Sequence, residues 1–324
     1  MRDGATADAM RNFVKHYGTV LGGIAIFVAF SVASPYFFSG NNFLLILKQM
    51  SILTIISLGF AFVMAAGGFD MSIGYAIGLV SVFFTMMLNA SGSLALAVLV
   101  ALGTGLAIGS VNGVLTSYLH LPDFIATFAV GSVAYGLKML FSGGHPVFIS
   151  DAPAAFNTIG RGYLGPIPVL VIIMMFLFAV ALLVMKRTKF GEHVYAIGGN
   201  AMAALYSGIN VRRNRFYTFL ISGLAIAMTA ITLTSRLGSG QPEAGENYLL
   251  DTISVCFLST TMFGEGETTV PGVFIGAFII TMLNNGLTMM AVPYQVQFIT
   301  KGLVVILAVL LSVSLGRKTR IRLL

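Results

Sequence analysis

The chain has 324 residues, of which 57% are hydrophobic and 9% charged. Soluble domains carry about 25% charged residues, so a soluble globular protein is excluded. Its 18 Lys and Arg against 11 Asp and Glu give a net charge of +7, but the cations gather at the ends of apolar runs. That placement argues against a nucleic-acid surface and for orienting spans in a bilayer.

Residues 1–17 mix Arg2, Arg11 and Lys15 with Asp3 and Asp8, and read as a cytoplasmic N-terminal segment. The apolar run that follows is too long for a signal-peptide core and lacks a small-residue cleavage site, so it is expected to remain as the first span. Crossing ~30 Å of hydrocarbon takes about 20 apolar residues. Candidate spans fall near 18–38, 49–66, 72–90, 93–119, 124–142, 166–185, 216–237, 249–263, 269–291 and 296–315. The fold expected is an all-α polytopic membrane protein of about ten transmembrane helices, with a transmembrane domain over 18–315. Eight spans is the alternative, because Asp70, Ser72 and Gly74 interrupt the third run and the eighth is short.

Asp70 stands in AAGGFDMSIG, where glycines permit a broken helix. A charge at the bilayer centre costs ~2.5–3.5 kcal/mol on insertion scales, so it needs a role. Two readings compete: Asp70 or Ser72 caps the new helix start, or they touch a transported solute. Asn112, in GSVNGVL, and Asn284 with Asn285, in MLNNGL, either bond between helices or line a polar passage. Lys138 and Lys301 lie near predicted span ends, from which Lys can snorkel to the interface. Gly105–Gly109 and Gly272–Gly276 have the spacing of close helix crossings. Cys256, the only cysteine, lies in an apolar run and reads as a small core residue.

Between the sixth and seventh runs lies KRTKFGEHVYAIGGNAMAALYSGINVRRNR, residues 186–215, holding six of the 18 Lys and Arg. By the positive-inside rule this loop faces the cytoplasm. With ten spans, both termini fall on the same side, including the basic tail 316–324 with Arg317, Lys318, Arg320 and Arg322. The polar stretch 143–165, with Arg161 its only cation, then falls outside. Division near residue 165 leaves five spans per half, so any internal repeat would be inverted, 5+5. Within the loop, Asn200 is placed to cap a short helix over Ala201–Tyr206 that Gly208 ends. One or two turns are marginal in water, so that helix must pack on something. AMAALYS has no basic face, which suits a protein cleft better than lipid headgroups.

No phosphate-binding Gly-x-x-x-x-Gly-Lys-Ser/Thr loop occurs, so nucleotide hydrolysis is expected on another chain. His16, His120, His145 and His193 are scattered, no His-Glu-x-x-His motif occurs, and Ser239 lacks a nucleophile-elbow frame. Neither catalytic nor metal-ligating residues are assigned, and an enzyme is not expected.

Taken together and in order, GGFDMSIG (67–74), SVNGVL (110–115), LPDFIATFAV (121–130), TKFGEHVYAIGGNAMAALYSGINV (188–211) and NNGLTMM (284–290) carry a family resemblance. The chain resembles the membrane permeases of bacterial ATP-binding-cassette sugar importers, the ribose, xylose, arabinose and galactose group, of the large-importer type. The resemblance covers roughly 45–315. It implies a second permease copy, identical or related, and a cytoplasmic cassette ATPase that holds ATP and Mg. It also implies a periplasmic or lipid-anchored sugar-binding protein, with no cofactor on this chain. The family's coupling segment falls on Phe190–Val211, which marks Phe190, Gly191, Glu192, Gly198, Gly199, Asn200, Ala203, Ser207 and Gly208. Asp70, Ser72, Asn112, Asn284 and Asn285 are the pathway candidates. The implied location is the bacterial inner membrane, multi-pass. One departure is LSTTMFGEGETTVPG (258–272), where many relatives carry Gly-Gly-Thr; Glu265 and Glu267 add acid there. The rival reading is an ion-coupled secondary transporter of small polar solutes.

Overall fold

The computed structural model describes residue 19, residues 21–262 and residues 266–321, with side chains described as far as Leu310. The expected N-terminal segment 1–17, Glu265 and Arg322 therefore lie outside the described residues. In chain order the elements are α1 (Leu21–Ala33), α2 (Gly40–Ala65), α3 (Ile73–Ser91), α4 (Leu94–Ser117), α5 (Asp123–Ser142), β1 (Val147–Phe148), α6 (Ala154–Arg161), β2 (Tyr163–Leu164), β3 (Ile167–Pro168) and α7 (Val169–Arg187). There follow α8 (Lys189–Gly199), α9 (Ala201–Tyr206), α10 (Val211–Leu237), β4 (Ser239–Gly240), α11 (Glu246–Thr261), α12 (Val270–Met289) and α13 (Tyr294–Ile321). Among the described residues the strands form two short antiparallel pairs, β1 with β4 and β2 with β3.

Among the described residues, seven helices are long and apolar enough to cross a membrane: α2, α3, α4, α5, α7, α10 and α12. They coincide with the second to seventh and the ninth runs read from the sequence. α1 and the apolar part of α13, Tyr294–Leu310, are shorter, and α11 has 16 residues. Among the seven, two boundaries move by more than a turn. α2 starts at Gly40 rather than near 49, because the polar Asn42 finds a buried amide partner in Asn285. α10 starts at Val211 rather than near 216, because the Asn210 side chain caps it, accepting from Arg213 N at 3.0 Å, so the arginines ride on its first turns.

Two compact units are present, one from Met1–Met50 with Ile253–Leu324 and one from Ser51–Thr252; the division falls inside α2 and α11. In the larger unit α4 packs on α10 and on α3, and α3 also packs on α5 and α10. The crossing of α4 on α10 needs glycine: a Cβ added at Gly105 would stand 2.3 Å from the Gly223 carbonyl, and one at Gly223 equally close to that of Gly105. Small residues allow this backbone approach where lipid gives helices no hydrophobic reason to associate. In the smaller unit Phe30, Phe37, Ile46, Met282 and Leu283 form an apolar core. Beside them Asn42 and Asn285 exchange two amide hydrogen bonds of 3.0 and 3.1 Å, both side chains buried.

Candidate functional site

The break between α2 and α3 organises the larger unit. α2 ends at Ala65, Gly67 takes φ +71°, and α3 resumes at Ile73. Breaking a helix frees backbone amides, and a buried amide without an acceptor costs about 1–3 kcal/mol. Here three of them find acceptors on side chains. Phe69 N donates to Asp123 Oδ2 (3.1 Å), Met71 N to Thr127 Oγ1 (2.9 Å) and Ser72 N to Asp70 Oδ1 (3.0 Å). Asp123 and Thr127 stand four apart on α5, which puts both on one helix face. The first turns of α5 thus supply acceptors that α2 no longer can.

Asp70 is fully buried. Its Oδ1 also accepts from Ser72 Oγ at 2.6 Å, and its Oδ2 accepts from Ser222 Oγ on α10 at 2.8 Å. Asn112 Nδ2 on α4 donates to Ser72 Oγ at 2.9 Å and approaches Asp70 Oδ1 at 3.4 Å. The carboxylate is therefore held by neutral donors from the break itself, α4 and α10. Capping by the Ser72 side chain does not occur; it makes no hydrogen bond to the α3 amides. Asp70 alone serves the helix start, through Ser72 N, because its side chain reaches two residues on as an Asx turn. Asp70, Ser72 and Asn112 are brought together, and all are buried. Asn285 lies in the other unit with its amide committed to Asn42, and its neighbour Asn284 is half-buried.

The 186–215 segment is helical for most of its length. α8 begins with the Thr188 side chain accepting from Gly191 N (3.3 Å), and α9 with Asn200 Oδ1 accepting from Ala203 N (3.0 Å). Gly208, at φ +84°, ends it. Asn200 separates the two helices, directly after Gly198 and Gly199. α8 is seated on the membrane helices: Gly191 lies against the Met185 carbonyl, and Phe190 stacks on Phe62 with ring centroids 6.3 Å apart. Gly198 is tighter still, since a Cβ there would meet the Ala65 carbonyl at 1.9 Å, whereas Gly199 has open space around it. Glu192, Asn200, Ala203 and Ser207 are exposed. α9 buries only Ala204 and presents Met202, Leu205 and Tyr206, the last 82% exposed. A cleft of about 560 Å³ runs beside it, bordered by His120, Met202, Leu205 and Arg212.

The segment reaches the break a second time. Arg215, on the second turn of α10, donates through Nη2 to both Asp123 oxygens at 2.6 and 2.8 Å. Asp123 therefore joins Arg215 to Phe69 N. Composition gives no hint of this pair, because single charges at span ends are ordinary and these are separated by 92 residues. Ser222 is equally silent, being one hydroxyl in a long helix.

Lys138 corrects an expectation. It does not snorkel; it is fully buried, its Nζ 2.6 Å from Glu246 Oε1 and over the rings of Tyr75 and Tyr135 at 5.1 and 4.9 Å. A lysine stem reaches the interface only where nothing nearer takes the charge, and Glu246, 108 residues away, does so here.

The family model described as branched-chain amino acid transport system / permease component matches residues 42–313. The chain is 37% identical to the Ribose import permease protein RbsC of Haemophilus influenzae over 297 residues, 91% of this chain and 92% of that one. It is 37% identical to the Bacillus subtilis protein of the same name over 299 residues, 92% and 93% of the two chains. Against the Galactose/methyl galactoside import permease protein MglC of Escherichia coli it is 34% identical over 304 residues, 88% and 90%. No solved structure matches the chain.

Proposed function

This chain belongs to the family of transport-system permease components, and from that membership we propose that it is the membrane-spanning subunit of an ATP-binding-cassette importer for a monosaccharide or related polyol. The observation that carries the reading is the match, over about nine-tenths of both chains, to proteins named as ribose and galactose import permeases. As a permease component it is a transport subunit rather than an enzyme. ATP and Mg belong to a cytoplasmic cassette ATPase, since this sequence has no phosphate-binding loop. A sugar-binding protein outside the membrane and a second permease copy complete the assembly.

Seven long helices together with α1, α11 and α13 support ten crossings, with both termini and 186–215 in the cytoplasm. In this arrangement α9 offers Met202, Leu205 and Tyr206 to the ATPase, because an apolar knob facing water calls for a protein partner. Movement of that partner reaches the break by two routes. One runs from Gly198 to the Ala65 carbonyl, and the other from Arg215 through Asp123 to Phe69 N. Asp70, Ser72, Asn112 and Ser222 fasten the break to α4 and α10, so shifting it repacks these helices together. Packed cores rearrange between discrete arrangements rather than bending continuously, which suits alternating access.

Membrane vesicles carrying the chain with its ATPase and solute-binding subunits test the reading. Uptake of labelled D-ribose or D-galactose is expected to require ATP and the binding protein and to survive collapse of ion gradients. Uptake that persists without ATP and stops with the gradient contradicts it.

A further inference from the structure

The routes from α9 to the break leave unused the group formed by Lys138, Glu246, Tyr75 and Tyr135. It lies toward the end of α5 away from α8 and α9. Lys138 is fifteen residues beyond Asp123 on that helix, about 22 Å along its axis. Glu246 opens α11, where a helix N-terminus favours a carboxylate. Its position is fixed from behind. A Cβ added at Gly74 of α3 would come within 3.3 Å of Glu246 Cα, and one at Gly78 within 3.0 Å of the Lys138 stem. The Tyr75 and Tyr135 rings meet edge to face at 5.3 Å.

The two partners of the ion pair differ in exposure. Lys138 is buried completely, while the Glu246 side chain is 39% exposed and Tyr135 43% exposed. Glu246 Oε1 takes the lysine proton; its Oε2 has no protein partner among the described residues. Carboxylates on membrane helices do not face hydrocarbon; they face water or protein. We propose that Glu246, Tyr75 and Tyr135, with Lys138 as the positioning residue behind them, form a contact site for a neutral polyhydroxylated solute at the mouth of the pathway opposite α8 and α9. This rests on the sugar-importer reading and adds the residues that would touch the cargo. The chemistry matches in three respects. A free carboxylate oxygen accepts from hydroxyls, tyrosine faces pack on C–H surfaces, and the Lys138 cation cancels the Glu246 charge, so the site favours neither anions nor cations.

Two experiments on the assembled transporter in membranes decide it. Cys256 is buried, so introduced cysteines report alone. Tyr135→Cys is expected to react with a charged, membrane-impermeant maleimide, and Val133→Cys, on the opposite face of α5 and 63% exposed, only with a lipid-soluble one. Initial uptake of D-ribose against D-galactose is then compared at equal membrane abundance. Tyr135→Ala and Glu246→Gln are expected to shift the ratio about tenfold, and Tyr135→Phe to keep it. A purely structural ion pair would lower both rates and leave the ratio alone, which overturns the proposal. Labelling of Tyr135→Cys solely by the lipid-soluble reagent, or its crosslinking to a second permease copy, also overturns it. A wild type that imports neither sugar defeats the importer reading itself, while the labelling pattern still reports whether this face is wet.

Discussion

Replacing Gly198 by alanine is expected to abolish uptake, while the same change at Gly199 leaves it near normal. The two positions are adjacent, lie at the end of the same helix and gain the same methyl group. They differ in what that methyl meets: at 198 it falls 1.9 Å from the Ala65 carbonyl, and at 199 it finds nothing within 4 Å. Backbone on both sides leaves no flexible side chain to yield, so α8 must lift off the end of α2. Because α8 lies on the surface of the larger unit, the spans remain folded and membrane abundance is unchanged. Uptake is expected to fall at least about tenfold in Gly198→Ala, equivalent to ~1.4 kcal/mol. In Gly199→Ala the added methyl meets open space and alanine is the better helix former, so nothing opposes the native seat of α8. Equal uptake by the two variants would show that the seat of α8 on α2 does not transmit motion.

The second large effect is expected at Asp70. Alanine there removes the acceptor for Ser72 N, Ser72 Oγ and Ser222 Oγ in one step, all within a buried region. Each abandoned buried donor costs about 1–3 kcal/mol, so the loss should be about 3 kcal/mol or more. Asparagine keeps the shape and one acceptor oxygen for Ser72, and the Ser222 hydroxyl can turn to accept from the new amide. Thermal unfolding of the purified protein is therefore expected to rank wild type, Asp70→Asn and Asp70→Ala in that order, with a wide gap before the last. If alanine were as stable as asparagine, the carboxylate would not be what fastens the break.

These two positions differ in how well the sequence announces them. Asp70 is conspicuous as a charge beside glycines in an apolar run, and Asn112 as an amide in a long one, so both are legible singly. Their meeting is not, because periodicity tells which residues share a helix face and not which helices meet. Ser222 and Thr127 complete the network without any signal, since hydroxyls in membrane helices commonly satisfy themselves on the preceding turn. α9 is readable almost to the residue, because a capping asparagine and a left-handed glycine are local chemistry. The extension of α10 to Val211 is hidden by arginines that look like loop residues until Asn210 is seen to cap them. Lys138 misleads for a related reason: its partner is far away in sequence and only the folded chain brings Glu246 to it. The division of the chain inside α2 and α11 is not announced by a helix end, since each helix runs unbroken through it.

The most direct measurement is crosslinking from α9 in intact membranes, using Met202→Cys, since Met202 is 57% exposed and the buried Cys256 does not compete. A bifunctional thiol reagent is expected to join the introduced cysteine to a nucleotide-hydrolysing subunit, and a membrane-impermeant maleimide added to intact cells should leave it unmodified. Capture of no such subunit, or ready modification of the introduced thiol from outside the cell, would contradict the role of this loop as the place where an ATPase takes hold.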